Sequence, residues 1–487
     1  MISSEATDGI KLSLLPRCGG GVSDRVIERE MGTHQRGLID TCLEEGQFDS
    51  AIALLDQLRS SIYKPHASHI RQMIYIALQP VHPNDNPVRI AIDNSATSSP
   101  SKSTKQYAPS GGAILASRRL LMSFAMTNSP GALARALPRY EDPTDQEPLP
   151  EDDPCDSAIG KEAMCISHAK NCWSILSQDF LRRQRQIPSS PNKGKKRGQT
   201  WDDETSENPL TNPLAVVGEN SWPVLDWLLL LFEQDQDLTG CHSPLLLKQI
   251  PYPRHGGNTR WDTELPLNIV FHCFDQADLR RRRMGSRLMS LLINLSSTGH
   301  LDIRMFIASI FSHFSPPPFE KLPLFFSELI PTVPTHRLKV ILCQKILMET
   351  VHSNTPSSAR PSVHARAHPR ALRTDPTNGG ASWSAPVNNA TLPLSNKYFL
   401  PNPNEIRQLL EMNVDMTSSG GITKSLLMRV KFELLVSFRA IHHTNLNDLE
   451  WSNFTQKSNL DKILDLVFNP NDGGEIYRNL LKNLLNV

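Results

Sequence analysis

The stretch 280–351 constrains the fold most. Four apolar segments follow one another there with only short breaks: 287–295 (RLMSLLINL), 301–314 (LDIRMFIASIFSHF), 319–330 (FEKLPLFFSELI) and 335–351 (THRLKVILCQKILMETV). Their apolar residues recur every three or four positions, the period of a helix with one buried face. Successive helices joined by short turns can hide those faces only against one another, as in bundles and solenoids. Alternating, β-branched stretches are nearly absent, so no strand is expected. The expected fold class is all-α, an irregular helical-repeat (HEAT/TPR-like) stack with long disordered insertions. No internal repeat of fixed period supports a regular array.

Composition divides the chain into folded islands and linkers. Its 487 residues include 37 Pro, and aromatic residues make up only 6%. Pro, Ser and Asn are gathered in blocks, and such blocks bury too little apolar surface to order themselves. Residues 1–33 are expected to be a disordered N-terminus. Residues 34–136 form an N-terminal helical region with a disordered loop at 80–112. An acidic, Pro-rich linker follows at 137–157, a helix at 158–186 and a basic disordered linker at 187–213. Residues 214–351 are the central helical domain, 352–402 a further disordered linker, and 403–487 a C-terminal helical region packed on the central domain. Ser221 is the expected cap of a strongly apolar helix 221–236, with Pro223 in its first turn.

The chain has 51 Lys+Arg against 50 Asp+Glu, so its global charge gives no argument for nucleic acid. Its eight cysteines are scattered with no CxxC, the pattern of a reduced, intracellular protein. The N-terminal MISSEATDGIKL has neither an apolar core nor an Arg-rich, acid-free character, which argues against a secretory or mitochondrial leader. The longest apolar run, 224–232 (VLDWLLLLF), is interrupted by Asp226 and is too short for a bilayer core of ~30 Å. A soluble protein without a membrane partner is expected.

Residues 37–65 (GLIDTCLEEGQFDSAIALLDQLRSSIYKP) look most like a motif. Gly46 lies between two helices, Ala51 is small enough for a close crossing, and Pro65 closes the unit. The segment resembles a single tetratricopeptide or pentatricopeptide hairpin, which implies a helix–turn–helix. It has no second copy.

Catalytic signatures are lacking: no G-x-S-x-G, Walker A loop, H-E-x-x-H, or G-x-G-x-x-G after a strand occurs. Cys165, His168 and Cys172 would share one face of a continuous helix. A structural zinc needs four ligands and no fourth is near, so packed cysteines are the preferred reading and no metal or cofactor is expected. Trp222, Trp227, Leu228 and Leu231 could form a partner-binding face, although a core helix is favoured.

Two basic clusters carry more information. Arg182, Arg183 and Arg185 end one helix, and Lys193, Lys195, Lys196 and Arg197 follow in the linker. Their spacing matches a bipartite nuclear-import signal, an extended basic segment lying along an acidic importin groove. The other cluster is Arg280, Arg281, Arg282, Arg283 and Arg287. It opens a helix, where the dipole disfavours cations, so contact with phosphate or an acidic partner would explain it. The alternative is a solvated edge, or pairing within the chain with acids such as Asp275 and Asp278.

The resulting expectation is a non-catalytic helical scaffold or adaptor in a nuclear multiprotein complex for chromosome maintenance, DNA repair or transcription, with a cytoplasmic pool allowed. The alternatives are a helical-repeat nucleic-acid-binding protein, and an enzyme whose site is assembled from distant residues.

Overall fold

The computed structural model describes residues 28–81, 108–138, 140, 157–186, 215–251, 262–314, 319–354, 400–412, 423–442, 454, 457–469 and 473–485. Of these, 73% are helical and 2% lie in strands, which places the molecule in the mainly helical class.

A helical hairpin opens the fold: α1 (Thr33–Glu44) and α2 (Phe48–Gln57). Gly46 takes a positive φ of 73° in the turn, a conformation that costs glycine nothing. Ala51 is fully buried. Helix α3 (Ala67–Ala77) is buried from His69 to Ala77 and packs on both α4 (Gly111–Thr127) and α6 (Ala158–Ser167). A short α5 (Pro130–Ala134) follows α4. Local sequence sets these starts. Ser110 accepts from the Ala113 amide at 2.9 Å and Ser157 from the Gly160 amide at 2.9 Å, each satisfying an otherwise orphaned donor.

The structure corrects three expectations here. Arg29–Glu30 (β1) and Tyr63–Lys64 (β2) form a short parallel pair where no strand was expected. Glu30 receives Lys64 and Arg135 at 2.8 Å each, and Met31 is buried, so residues 29–33 are not a frayed end. The expected single helix 158–186 is three pieces: α6, α7 (Cys172–Ile175) and α8 (Phe180–Gln186). Asn171 restarts the chain by accepting from the Ser174 amide at 2.8 Å, and Asp179 breaks it again at φ 63°. Asn and Asp compete with helical bonding through their own side chains, which makes them good breakers. Gln47 precedes α2 and His66 precedes α3, each without a side-chain cap hydrogen bond.

The central region runs through α9 (Trp222–Thr239), α10 (Pro244–Leu247), α11 (Glu264–Phe274), α12 (Leu279–Ser297), α13 (Ile303–Ser312), α14 (Leu322–Glu328) and α15 (Val333–Asn354). Pro223 lies in the first turn of α9, as its missing amide hydrogen favours. Ser221 precedes α9 without a side-chain cap, because a 3-10 turn (Glu219–Ser221) leads into the helix. Gly240 ends it at φ 79°. Helices α11 and α12 pack closely because residue 285 is glycine: a Cβ there would lie 2.8 Å from Cys273 Cβ. Phe271, Phe274, Phe314 and Phe325 form an aromatic cluster under α13 and α14, with His313 stacked on Phe271 at 4.2 Å.

Helix α17 (Lys424–His442) packs along α15, with α16 (Pro403–Glu411), α18 (Lys457–Val467) and α19 (Glu475–Leu485) around it. The Asn402 side chain and Glu405 cap α16 reciprocally. Packing passes from α2 and α3 to α4, then to α9, α12, α15 and α17, within a single cluster of buried apolar side chains from Met31 to Leu481. Among the described residues, no helix is long and apolar enough to cross a membrane.

Candidate interaction surfaces

The arginines at 280–287 lie on the seam between α9 and α12. Asp278 caps α12 by accepting from the Arg280 amide at 2.9 Å, which offsets the cost of cations in its first turn. On α12, Arg280, Arg287 and Asn294 are spaced by seven residues, two helical turns, and so project along one line. On α9, Asp226 and Glu233 share the same spacing, with Gln236 one turn further on. The two rows meet. Arg280 reaches Asp226 at 3.0 Å, Arg287 reaches Asp226 at 2.6 Å and Glu233 at 2.7 Å, and Asn294 donates to Gln236 at 3.1 Å. The hydrogen bond to Glu233 foremost, and then Asp226, holds the Arg287 guanidinium even more firmly protonated than usual.

Arg281 turns the other way. It lies 4.7 Å over the Trp222 ring and pairs with Glu219, whose carboxyl it holds below the usual range. His272 stacks on Trp222 at 5.8 Å, and burial lowers the pKa of that imidazole. Arg282 pairs with Glu328 on α14 at 3.3 Å. Arg280 and Arg283 are exposed, and Arg283 alone of the five has no ion-pair partner among the described residues. Of the acids expected nearby, Asp278 approaches Arg281 at 3.8 Å, whereas Asp275 takes Lys321 at 2.7 Å. The acids that matter most are Asp226 and Glu233. The signal in the sequence is Asp226, a carboxylate inside an otherwise apolar run, with Glu233 two helical turns further on.

The first basic cluster is divided. Arg182 and Arg183 are exposed on α8, where Arg182 pairs with Asp179 at 3.2 Å and Arg183 donates to the Gln178 carbonyl at 3.2 Å. Arg185 is the penultimate residue of α8. Lys193, Lys195, Lys196 and Arg197 lie outside the described residues.

A groove of about 1070 Å³ opens beside α8. Leu43, Phe48, Leu78, Ile159, Phe180 and Leu181 supply its apolar lining. Among the described residues, four carboxylates reach it (Glu44, Glu162, Asp179 and Glu219) and one guanidinium, Arg182. Glu162 accepts from the Tyr75 hydroxyl, whereas Glu44 is exposed and unpaired among the described residues. The back wall is tied down by Arg118, whose Nε donates to Ala77 O at 2.9 Å, while Nη2 reaches Asn220 O at 3.5 Å. The chain re-enters at Ala215, which exchanges two 3.1 Å hydrogen bonds with Gln178.

The third surface is on α19. One face, Tyr477 and Leu481, packs toward Phe432, Phe468 and the core, and Arg478 and Lys482 bridge to Asp465 and Asp461 on α18. A second apolar stripe, Ile476, Leu480 and Leu484, stays exposed; Ile476 is 70% accessible, as is Leu466 of α18 at 64%.

Because Cys172 begins a separate helix, Cys165, His168 and Cys172 do not share a helix face. Cys172 is fully buried and burial holds its thiol well above the usual range. Among the described residues no group of three or more His, Cys, Asp or Glu could hold a metal ion. Trp222, Trp227, Leu228 and Leu231 are buried in the core.

Comparison with known proteins finds no matching family model, no matching curated protein and no matching solved structure.

Proposed function

We propose that this chain is a non-catalytic helical scaffold or adaptor whose HEAT/TPR-like stack of helices holds other proteins in a nuclear assembly of the chromosome-maintenance, DNA-repair or transcription class. The exposed stripe Ile476, Leu480 and Leu484 carries the reading. An amphipathic helix with one apolar face already packed and a second in water presents the anchors, four residues apart, that helix-in-groove recognition uses. The nucleic-acid alternative has weaker support. Arg280, Arg281, Arg282 and Arg287 are neutralised by carboxylates of the same chain, which leaves Arg283 as the one cation of that cluster without a partner among the described residues.

Affinity purification from nuclear extract tests the proposal, comparing wild type with Ile476→Glu/Leu480→Glu. A defined set of proteins lost from the variant, with unchanged circular dichroism, is the expected result. Identical sets would sink the assignment of this stripe. Nuclear placement is tested separately by imaging Lys195→Ala/Lys196→Ala/Arg197→Ala, which should shift the protein to the cytoplasm. Binding of nucleic acid that weakens steeply with salt and is lost in Arg283→Ala would favour the alternative.

A further inference from the structure

Residues 82–107 leave and rejoin the described chain at the groove beside α8. Pro80 lines it on the way out, and Ala108 and Pro109 line it on the return. Leu43, Phe48, Leu78, Ile159, Phe180 and Leu181 form its apolar wall. The wall also holds an unmet polar group: Gln79 Nε2 is buried with no acceptor among the described residues. A buried donor without a partner is costly, and a peptide carbonyl would satisfy it.

Residues 82–107 carry a run that matches this wall. Pro87 precedes Val88, Arg89, Ile90, Ala91 and Ile92, and Asp93 and Asn94 follow. β-Branched residues alternating between a proline and a turn pair are the pattern of a short extended strand. Extended backbone sends successive side chains to opposite sides, so Val88, Ile90 and Ile92 share one apolar face.

We propose that residues 88–92 lie extended in this groove of their own chain, with Val88, Ile90 and Ile92 against its apolar wall and a backbone carbonyl of the run on Gln79 Nε2. The connection from Val81 to Val88 can reach about 24 Å, and that from Ile92 to Ala108 about 56 Å, at roughly 3.5 Å per residue, so neither prevents the contact. Tethering at both ends sets a local concentration of about millimolar, so modest affinity suffices. Residues 187–214 also begin and end beside the groove, after α8 and before Ala215. Their larger apolar residues are Ile187, Trp201, Leu210 and Leu214, too far apart in sequence to make a continuous apolar strand. The consequence is a groove filled from within the chain. A protein partner that uses it must displace 88–92 with a stretch of the same alternating chemistry. This inference concerns a different surface from the α19 stripe and stands or fails independently of it.

Photo-cross-linking of the full chain carrying Ile90→p-benzoylphenylalanine, with isotopically labelled and unlabelled copies mixed, tests it. The expected adducts lie within one chain, to Phe48, Leu78, Phe180 or Leu181. Adding Val88→Asp/Ile92→Asp should lower their yield at least about threefold with unchanged circular dichroism, because two apolar side chains lose their burial. Salt at about 1 M should leave the yield unchanged, since screening acts on charges and this contact is apolar. Adducts confined to 82–107, adducts only between copies, or adducts only to residues away from the groove would each overturn the proposal. So would groove adducts from Trp201→p-benzoylphenylalanine in place of those from position 90.

Discussion

Arg287 bridges two carboxylates that lie two helical turns apart on the facing helix: its Nη1 is 2.6 Å from Asp226, and its Nε and Nη2 are each 2.7 Å from a Glu233 oxygen. The side chain is only 26% exposed. Breaking the bridge leaves Asp226, itself 15% exposed, and Glu233 with less compensation. Arg287→Met should therefore destabilise the fold by about 2 kcal/mol, between surface and fully buried pairs. Arg287→Lys should recover less than half, since an ammonium cannot match the two-oxygen geometry of Glu233. Urea denaturation of the three proteins checks both statements.

Gly285 sits mid-helix on α12, where alanine would ordinarily stabilise. Here an added Cβ would meet Cys273 Cβ at 2.8 Å and Phe274 Cε1 at 3.0 Å, and a Cβ next to the backbone has little room to yield. Gly285→Ala should cost about 1–3 kcal/mol through overpacking, outweighing the helix-propensity gain. A rise in melting temperature would contradict this account of the α11–α12 contact.

Lys431 is buried, and its ammonium donates to the Leu410 and Met412 carbonyls at 2.6 and 2.9 Å, closing the end of α16. Burial lowers its pKa from 10.5 to about 8. The folded state therefore releases this proton before the unfolded state does. Below pH 8 both states are charged and the fold bears the desolvation cost. From pH 8 to 10.5 the unfolded chain binds more protons, so this group's contribution to stability rises, by on the order of 3 kcal/mol. Lys431→Met removes that rise. The difference between the two proteins in denaturation midpoint should change across this window and stay flat below pH 7.

Thiol reactivity should divide the cysteines sharply. Cys172, Cys273 and Cys343 are buried and their thiols are pushed up by desolvation, Cys273 to about 12. Cys241 is exposed. Site-resolved alkylation at pH 7.5 should label Cys241 at least about a hundredfold faster than those three, because the thiolate is the nucleophile. Comparable rates at Cys273 and Cys241 would show that α11 and α12 separate readily.

The helical class was legible because helix formation reads local information. The repeat spacing in 280–351 and the serines at the starts of α4, α5 and α6 act within a few residues of themselves. The same local logic misled at 158–186, where the apolar spacing continues through Asn171 and Asp179 although both break the helix. Whether the arginines at 280–287 face solvent or a carboxylate was not legible. That depends on Asp226 and Glu233, more than fifty residues earlier, being brought alongside by the packing of α9 on α12. Nor could the sequence place Glu44, Asp179 and Glu219 around one groove, since they come from three separated elements. By itself the sequence determined that the chain is mainly helical, which segments are apolar and where the cations lie. The tertiary structure alone decided which charges are neutralised and which apolar faces remain in water, because both depend on contacts between distant segments.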